Sequence, residues 1–118
     1  MKKLALVVAA VCAVASLAGT SRATAETRAF KPFVVSITVQ RGRPVGGIKR
    51  PKVKKGRVVR FVVRTDAGKG LHLHGYDIEK APRIGKTTVI QFTARIPGRF
   101  ELELHSPDAL LADLTVQP

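Results

Sequence analysis

From Phe33 to the end of the chain, apolar side chains return at every second position, and this period constrains the fold more than any other feature. FVVSITVQ (33–40) alternates Val35, Ile37 and Val39 with Ser36, Thr38 and Gln40. VVRFVVRT (58–65) sets Val59, Phe61 and Val63 against Arg60 and Arg64, and TVIQFTA (88–94) sets Thr88, Ile90 and Phe92 against Val89 and Gln91. RFELEL (99–104) opposes Phe100, Leu102 and Leu104 to Glu101 and Glu103. LLADLTV (110–116) opposes Leu110, Ala112, Leu114 and Val116 to Leu111, Asp113 and Thr115. Successive side chains of a strand point to opposite faces, so each run buries one face and leaves the other in water. Turn formers separate the runs at Gly46-Gly47, Lys55-Gly56, Gly68 to Gly70, Ile96-Pro97-Gly98 and Ser106-Pro107-Asp108. After the N-terminal segment no stretch sustains a helical period, and DALLAD gives way at once to strand chemistry in LTVQP. About seven short strands predict an all-β, antiparallel β-sandwich. If the strand bearing Arg60 and Arg64 lies beside the one bearing Glu101 and Glu103, their outward faces would pair across the ladder.

The first 25 residues follow a different logic. Lys2 and Lys3 precede an uncharged apolar run from Leu4 to Leu17, and Ala23-Thr24-Ala25 places small residues at the −3 and −1 positions of a cleavage site. This is the pattern of a secretory signal peptide cut between Ala25 and Glu26. The apolar run falls short of the roughly 20 residues of a spanning helix. Cys12 lies within it, and AAVC is a poor lipidation signal because valine precedes the cysteine. The expected organisation is a leader over 1–25, a lead-in over 26–32 and one domain over 33–118, in a periplasmic or secreted product of 93 residues. That product has no cysteine, which excludes disulfides, cysteine-ligated zinc and a thiol nucleophile. Nothing after the leader has the length and apolarity of a membrane span.

Removing Lys2, Lys3 and Arg22 takes the net charge from +13 to +10, because all eight acids follow the cut. Ten of the basic residues lie between Arg41 and Arg64, without a single acid. Such a field favours an anionic surface or an acidic protein partner, with binding that weakens in salt. Nucleic acid is a poor candidate, since an exported protein does not meet it and aromatic side chains for base stacking are scarce. A solvated basic surface is the simpler alternative.

No enzyme is expected. No acid–base pair has useful spacing, and Ser106 beside His105 is an adjacency in sequence without triad geometry. GKGLH (68–72) and GKTT (85–88) lack the spacing of a phosphate loop and read as turns. What remains is LHLHGYD (71–77). His72 and His74, two residues apart, share one strand face about 6–7 Å from each other, with Leu71 and Leu73 on the core side. The third histidine, His105, ends the strand with outward Glu101 and Glu103, on an outer face or at the loop rim. Three neutral imidazoles can hold Cu(II) or Zn(II), with a position left for water and Asp77, Asp108 or Glu103 as an oxygen ligand or supporting acceptor. The competing reading makes them ordinary histidines, with Gly75 serving a tight bend and Tyr76 capping the core.

The order of these pieces resembles the cupredoxin family. PKVKKGRVVRFVV (51–63) is similar to its strand–Lys–Gly–strand entry, and LHLHGYDI (71–78) to the loop of its first copper histidine. TTVIQFTARIPGRFELEL (87–104) resembles the strand, Pro-Gly turn and aromatic strand before the copper cysteine, and LLADLTVQP (110–118) the closing strand. The resemblance implies a Greek-key sandwich whose two histidine-bearing loops converge at one end, bringing His72, His74 and His105 together with His74 in the place of the first ligand. It also exposes departures: the copper cysteine falls on Leu104 and the axial methionine near Leu110, while His105 follows without the usual gap. Blue copper requires a thiolate. The expectation is therefore an exported protein binding copper, or another divalent metal, through His72, His74 and His105. The alternative is a metal-free sandwich whose basic face around Lys49 to Arg64 meets an anionic surface or protein partner.

Overall fold

The computed structural model describes residues 30–118, so the expected leader and most of the lead-in fall outside the described residues. Phe30–Pro32 enter without regular structure. Nine strands follow: β1 (Phe33–Gln40), β2 (Arg43–Pro44), β3 (Lys52–Lys54), β4 (Val58–Thr65), β5 (Gly70–Leu73), β6 (Ile78–Lys80), β7 (Thr87–Thr93), β8 (Gly98–His105) and β9 (Ala109–Gln117). They form a four-stranded sheet, β2-β1-β4-β7, and a five-stranded sheet, β3-β9-β8-β5-β6. Among the described residues no helix is long and apolar enough to cross a membrane.

The period-two pattern accounts for the core. Val35, Ile37, Val39, Val59, Phe61, Val63 and Ile90 of one sheet meet Leu71, Leu73, Leu102, Leu104, Leu114 and Val116 of the other in one buried cluster. Full burial of each large apolar side chain contributes about 1.5–3 kcal/mol, so these alternating positions carry the stability of a chain this small. Tyr76 closes the core at one end. Its ring packs against Phe92 and Phe100 at centroid distances of 4.7 and 4.6 Å, and its hydroxyl bonds the backbone of Ile96.

The structure departs from the sequence-based expectation in four respects. Three of the nine strands have only two or three residues, too few to show a period. Two pairings, β1 with β4 and β3 with β9, are parallel, so the sandwich is mixed. A bulge shifts the β8–β9 register: Leu102 faces Ala112 but Glu103 faces Leu110, so Leu111 is skipped and is fully buried rather than outward. Finally, Arg60 and Arg64 do not meet Glu101 and Glu103, because β4 and β8 lie in different sheets. Arg60 donates to Gln91 on β7, while Glu103 faces His72.

The segment before β3 runs along β9, with the Lys49 N–H donating to the Leu111 carbonyl and the Asp113 N–H to the Lys49 carbonyl. Part of the basic stretch therefore forms a sheet edge, where lysines discourage edge-to-edge pairing. At the opposite side of the same sheet, β5 is held between β6 and β8.

Candidate metal centre

The centre is built on β5 and β8, adjacent antiparallel strands. Their register places Leu71 opposite Leu104, His72 opposite Glu103 and Gly70 opposite His105. Because Leu71, Leu73, Leu102 and Leu104 are fully buried, alternation sends His72, Glu103 and His105 to the outer face. His74 extends the ladder one step beyond β5, its N–H donating to the Glu101 carbonyl at 3.0 Å. The chain then turns at Gly75, whose φ is +83°, and a Cβ there would lie 2.5 Å from Cδ1 of Phe100. Only glycine fits that turn, which fixes where His74 leaves the sheet.

The three histidines predicted from sequence do come together. The rings of His72 and His74 are 4.1 Å apart between centroids, those of His72 and His105 6.1 Å. One ring nitrogen from each of the three lies within 4.8 Å of the others. Nitrogens bound to one tetrahedral ion at 2.0–2.1 Å stand about 3.3 Å apart, so small side-chain rotations would close the triad on a metal. The His72 side chain is 20% exposed, those of His74 and His105 45% and 43%, which leaves the cluster open to solvent on one side.

Each imidazole also has a carboxylate neighbour. His74 Nε2 is 2.8 Å from Glu103 Oε2, His105 Nδ1 is 3.2 Å from Asp108 Oδ1, and His72 Nε2 is 4.0 Å from Glu79 Oε1. A carboxylate on one ring nitrogen fixes the ring and raises the basicity of the other, as at many metal sites. The hydrogen bond from His105, with a further one from the Ser106 N–H, holds the Asp108 carboxyl below its usual range. Of the oxygen partners expected from sequence, Glu103 and Asp108 contact histidines; Asp77 lies in the turn beyond Gly75 and is not among the carboxylates within 4.0 Å of an imidazole nitrogen. Glu79 was not legible, since only the β5–β6 register places it opposite His72.

The location differs from what the resemblance implies. The triad sits on the outer face of the five-stranded sheet and not between loops at the end of the sandwich. Leu104, where the resemblance sets the copper cysteine, points into the core, on the opposite face of β8 from His105. Among the described residues there is no cysteine or methionine, so the donors are imidazole and carboxylate alone. These donors fit Cu(II) or Zn(II).

Acids are concentrated around the cluster, interspersed with Lys69, Lys80, Arg50 and Arg99. Glu79, Glu101, Glu103, Asp108 and Asp113, five of the eight acids in the chain, lie on or beside this face. Asp113 is buried and takes hydrogen bonds from Arg99, with Arg50 at 3.5 Å. The Arg99 guanidinium bonded to it holds the Asp113 carboxyl below the usual carboxylate range, and the Asp113 carboxylate in turn raises the Arg99 pKa. A shallow depression of about 470 Å³ separates this ion group from His74, and another of about 260 Å³ lies between His72 and His105.

No protein-family model matches the sequence, and no curated protein does. Solved structures do share the fold. A copper binding protein, determined in its apo form, is 14% identical over 71% of this chain and 86% of its own, with a TM-score of 0.58. The metal binding domain of the Cu(I) exporting P-type ATPase CopA from Streptococcus pneumoniae D39 is 19% identical over 72% and 85%, also at 0.58. The copper nitrite reductase from Nitrosomonas europaea is 18% identical over 75% of this chain and 42% of its own, again at 0.58. The fold is a cupredoxin-like β-sandwich. Identities this low speak to the fold alone, and the chemistry of the site rests on its own residues.

Proposed function

We propose that this is an exported protein that binds Cu(II) through His72, His74 and His105, as a carrier or buffer rather than as a catalyst or a blue-copper electron carrier. The observation that carries the reading is the convergence of three imidazole nitrogens within 4.8 Å on one rigid sheet face. Imidazole donors favour Cu(II) over Zn(II) in intrinsic affinity, and the Glu103 and Asp108 carboxylates beside the rings favour a cation over an anionic ligand. Copper proteins among the solved structures of the same fold are consistent with it. Export rests on the N-terminal pattern of Lys2-Lys3, an apolar run and Ala23-Thr24-Ala25.

Within this arrangement the residues divide the work. The two histidines of β5 and its extension approach the ion from one strand and His105 from the next, while Glu103 and Asp108 orient the rings of His74 and His105. A bound Cu(II) would be held by the lone pairs of one ring nitrogen from each of the three histidines. With one side open to solvent, the ion can enter and leave without unfolding the sheet.

Calorimetric titration of Cu(II) into the protein lacking its leader tests the reading. One tight site per chain is expected, weakened in His74→Ala by at least the ~10–100-fold that loss of a mere supporting partner costs at metal sites. Equally weak binding by wild type and variant would contradict it.

A further inference from the structure

A second region of the molecule has a ligand chemistry of its own, independent of the metal reading. At one end of the sandwich the β3–β4 turn and the β7–β8 turn are bound to each other. The Gly56 N–H donates to the Ala94 carbonyl and the Ala94 N–H to the Arg57 carbonyl, each at 2.8 Å. Lys54, Lys55 and Arg57 project from the first turn and Arg95 from the second, all exposed. Among the described residues no carboxylate lies within 4.0 Å of any of these four cations. Two large apolar side chains stand exposed in the same place: Phe30, 76% exposed beside Lys54 to Val58, and Ile96, 47% exposed in the second turn.

We propose that this end of the sandwich docks on an anionic phospholipid surface, with Phe30 and Ile96 entering the interface and Lys54, Lys55, Arg57 and Arg95 meeting lipid phosphates. Apolar side chains set among cations match a bilayer interface, where charge is held at the headgroups and apolar groups lie below. A soluble polyanion would use the cations and leave Phe30 and Ile96 in water. The chain outside the described residues points the same way. Residues 1–29 join the domain at Phe30, and the apolar run from Leu4 to Leu17 lies within them. The docking end is therefore the end at which the segment carrying that apolar run joins the domain. The histidine cluster stays accessible in this orientation. β8 starts at this end with Gly98, passes His74 at Glu101 about 10 Å along and reaches His105 about 23 Å away at 3.3 Å per residue, with the three histidine side chains on the outer face of the sheet.

The test is vesicle cosedimentation of the protein as its host exports it, its N-terminus established by mass spectrometry. Vesicles of phosphatidylcholine alone are compared with vesicles containing one-third phosphatidylglycerol. Binding only to the anionic vesicles is expected, falling at least about tenfold as salt rises from about 0.05 to about 0.5 M. Each cation near an anionic surface changes the partition by roughly fivefold, so reversing Lys54 and Lys55 to Glu should reduce binding by more than about 25-fold. Phe30→Ser combined with Ile96→Ser should weaken binding several-fold while leaving its salt dependence intact. A denaturation midpoint close to wild type for each variant excludes misfolding as the cause. Equal, salt-insensitive binding to both vesicle types would overturn the proposal, as would no binding at low salt. Wild-type binding by the Phe30→Ser/Ile96→Ser variant would also overturn it, making the end a site for soluble polyanions or acidic proteins instead.

Discussion

The two faces of β5 and β8 are made from alternate residues of the same short segments, GLHL with the following His74 and GRFELELH. On the inner face Leu71, Leu73, Leu102 and Leu104 are completely buried, whereas on the outer face His72, His74, Glu103 and His105 keep contact with water. The difference separates two tasks within a few residues. The inner leucines hold the strands in register, and that register, together with the turn at Gly75, sets the spacing of imidazoles that lie outside the core. Changes on one face should therefore move stability and leave metal chemistry to the other.

The largest effect on stability is expected from Leu104→Ala. It removes a fully buried side chain at the centre of the core, which typically costs about 2–5 kcal/mol, and urea denaturation would measure it. If copper binding at saturating protein stability also vanished, the two faces would not be separable in the way argued. Gly75→Ala comes next because it touches both faces at once. The new Cβ would collide with the Phe100 ring at a positive φ, costing about 1–3 kcal/mol and displacing His74. Reduced stability together with weaker Cu(II) binding is the expected pair of outcomes. An alanine variant with wild-type copper affinity would show that the turn does not position His74.

A smaller effect is expected at the buried ion group beside the site. The folded Asp113 carboxyl lies below its ordinary value because Arg99 hydrogen-bonds it. A depressed folded pKa gives stability that is fully present above the unfolded carboxylate value of about 3.9 and is lost as pH falls through the lower folded value. Unfolding midpoints measured between neutral and strongly acidic pH should therefore drop less steeply in Asp113→Asn than in wild type. Parallel acid limbs would contradict the assignment. The smallest stability change belongs to the outer face itself: His72→Ala and His105→Ala should shift the unfolding free energy by no more than about 0.5 kcal/mol. A loss of several kcal/mol would make these histidines structural and dissolve the contrast between the faces.

What the sequence made legible follows the same division. Period-two alternation marked β1 and β4 at their observed limits and placed Leu71, Leu73, Leu102 and Leu104 inside, because burial is written into the side chains themselves. It also put His72 and His74 on one face. Pairing partners were less legible, since alternation states which way a residue points and not which strand lies beside it. Hence the condition for pairing Arg60 and Arg64 with Glu101 and Glu103, that their strands be neighbours, is not met: the strands belong to different sheets. The outward place given to Leu111 failed for a local reason, the bulge that lets two successive residues of β9 face inward. The meeting of His105 with the β5 histidines depended on the fold resemblance, and their position on the sheet face depended on a register that no single segment encodes.

The most direct test of the proposed copper centre counts its nitrogen ligands. Electron paramagnetic resonance of the protein with one equivalent of Cu(II) should show nitrogen hyperfine structure from three imidazoles, one from each member of the triad. Substituting His105 by alanine should reduce the count to two without altering the fold. A wild-type spectrum indistinguishable from that of the His72→Ala/His74→Ala/His105→Ala variant would contradict the account.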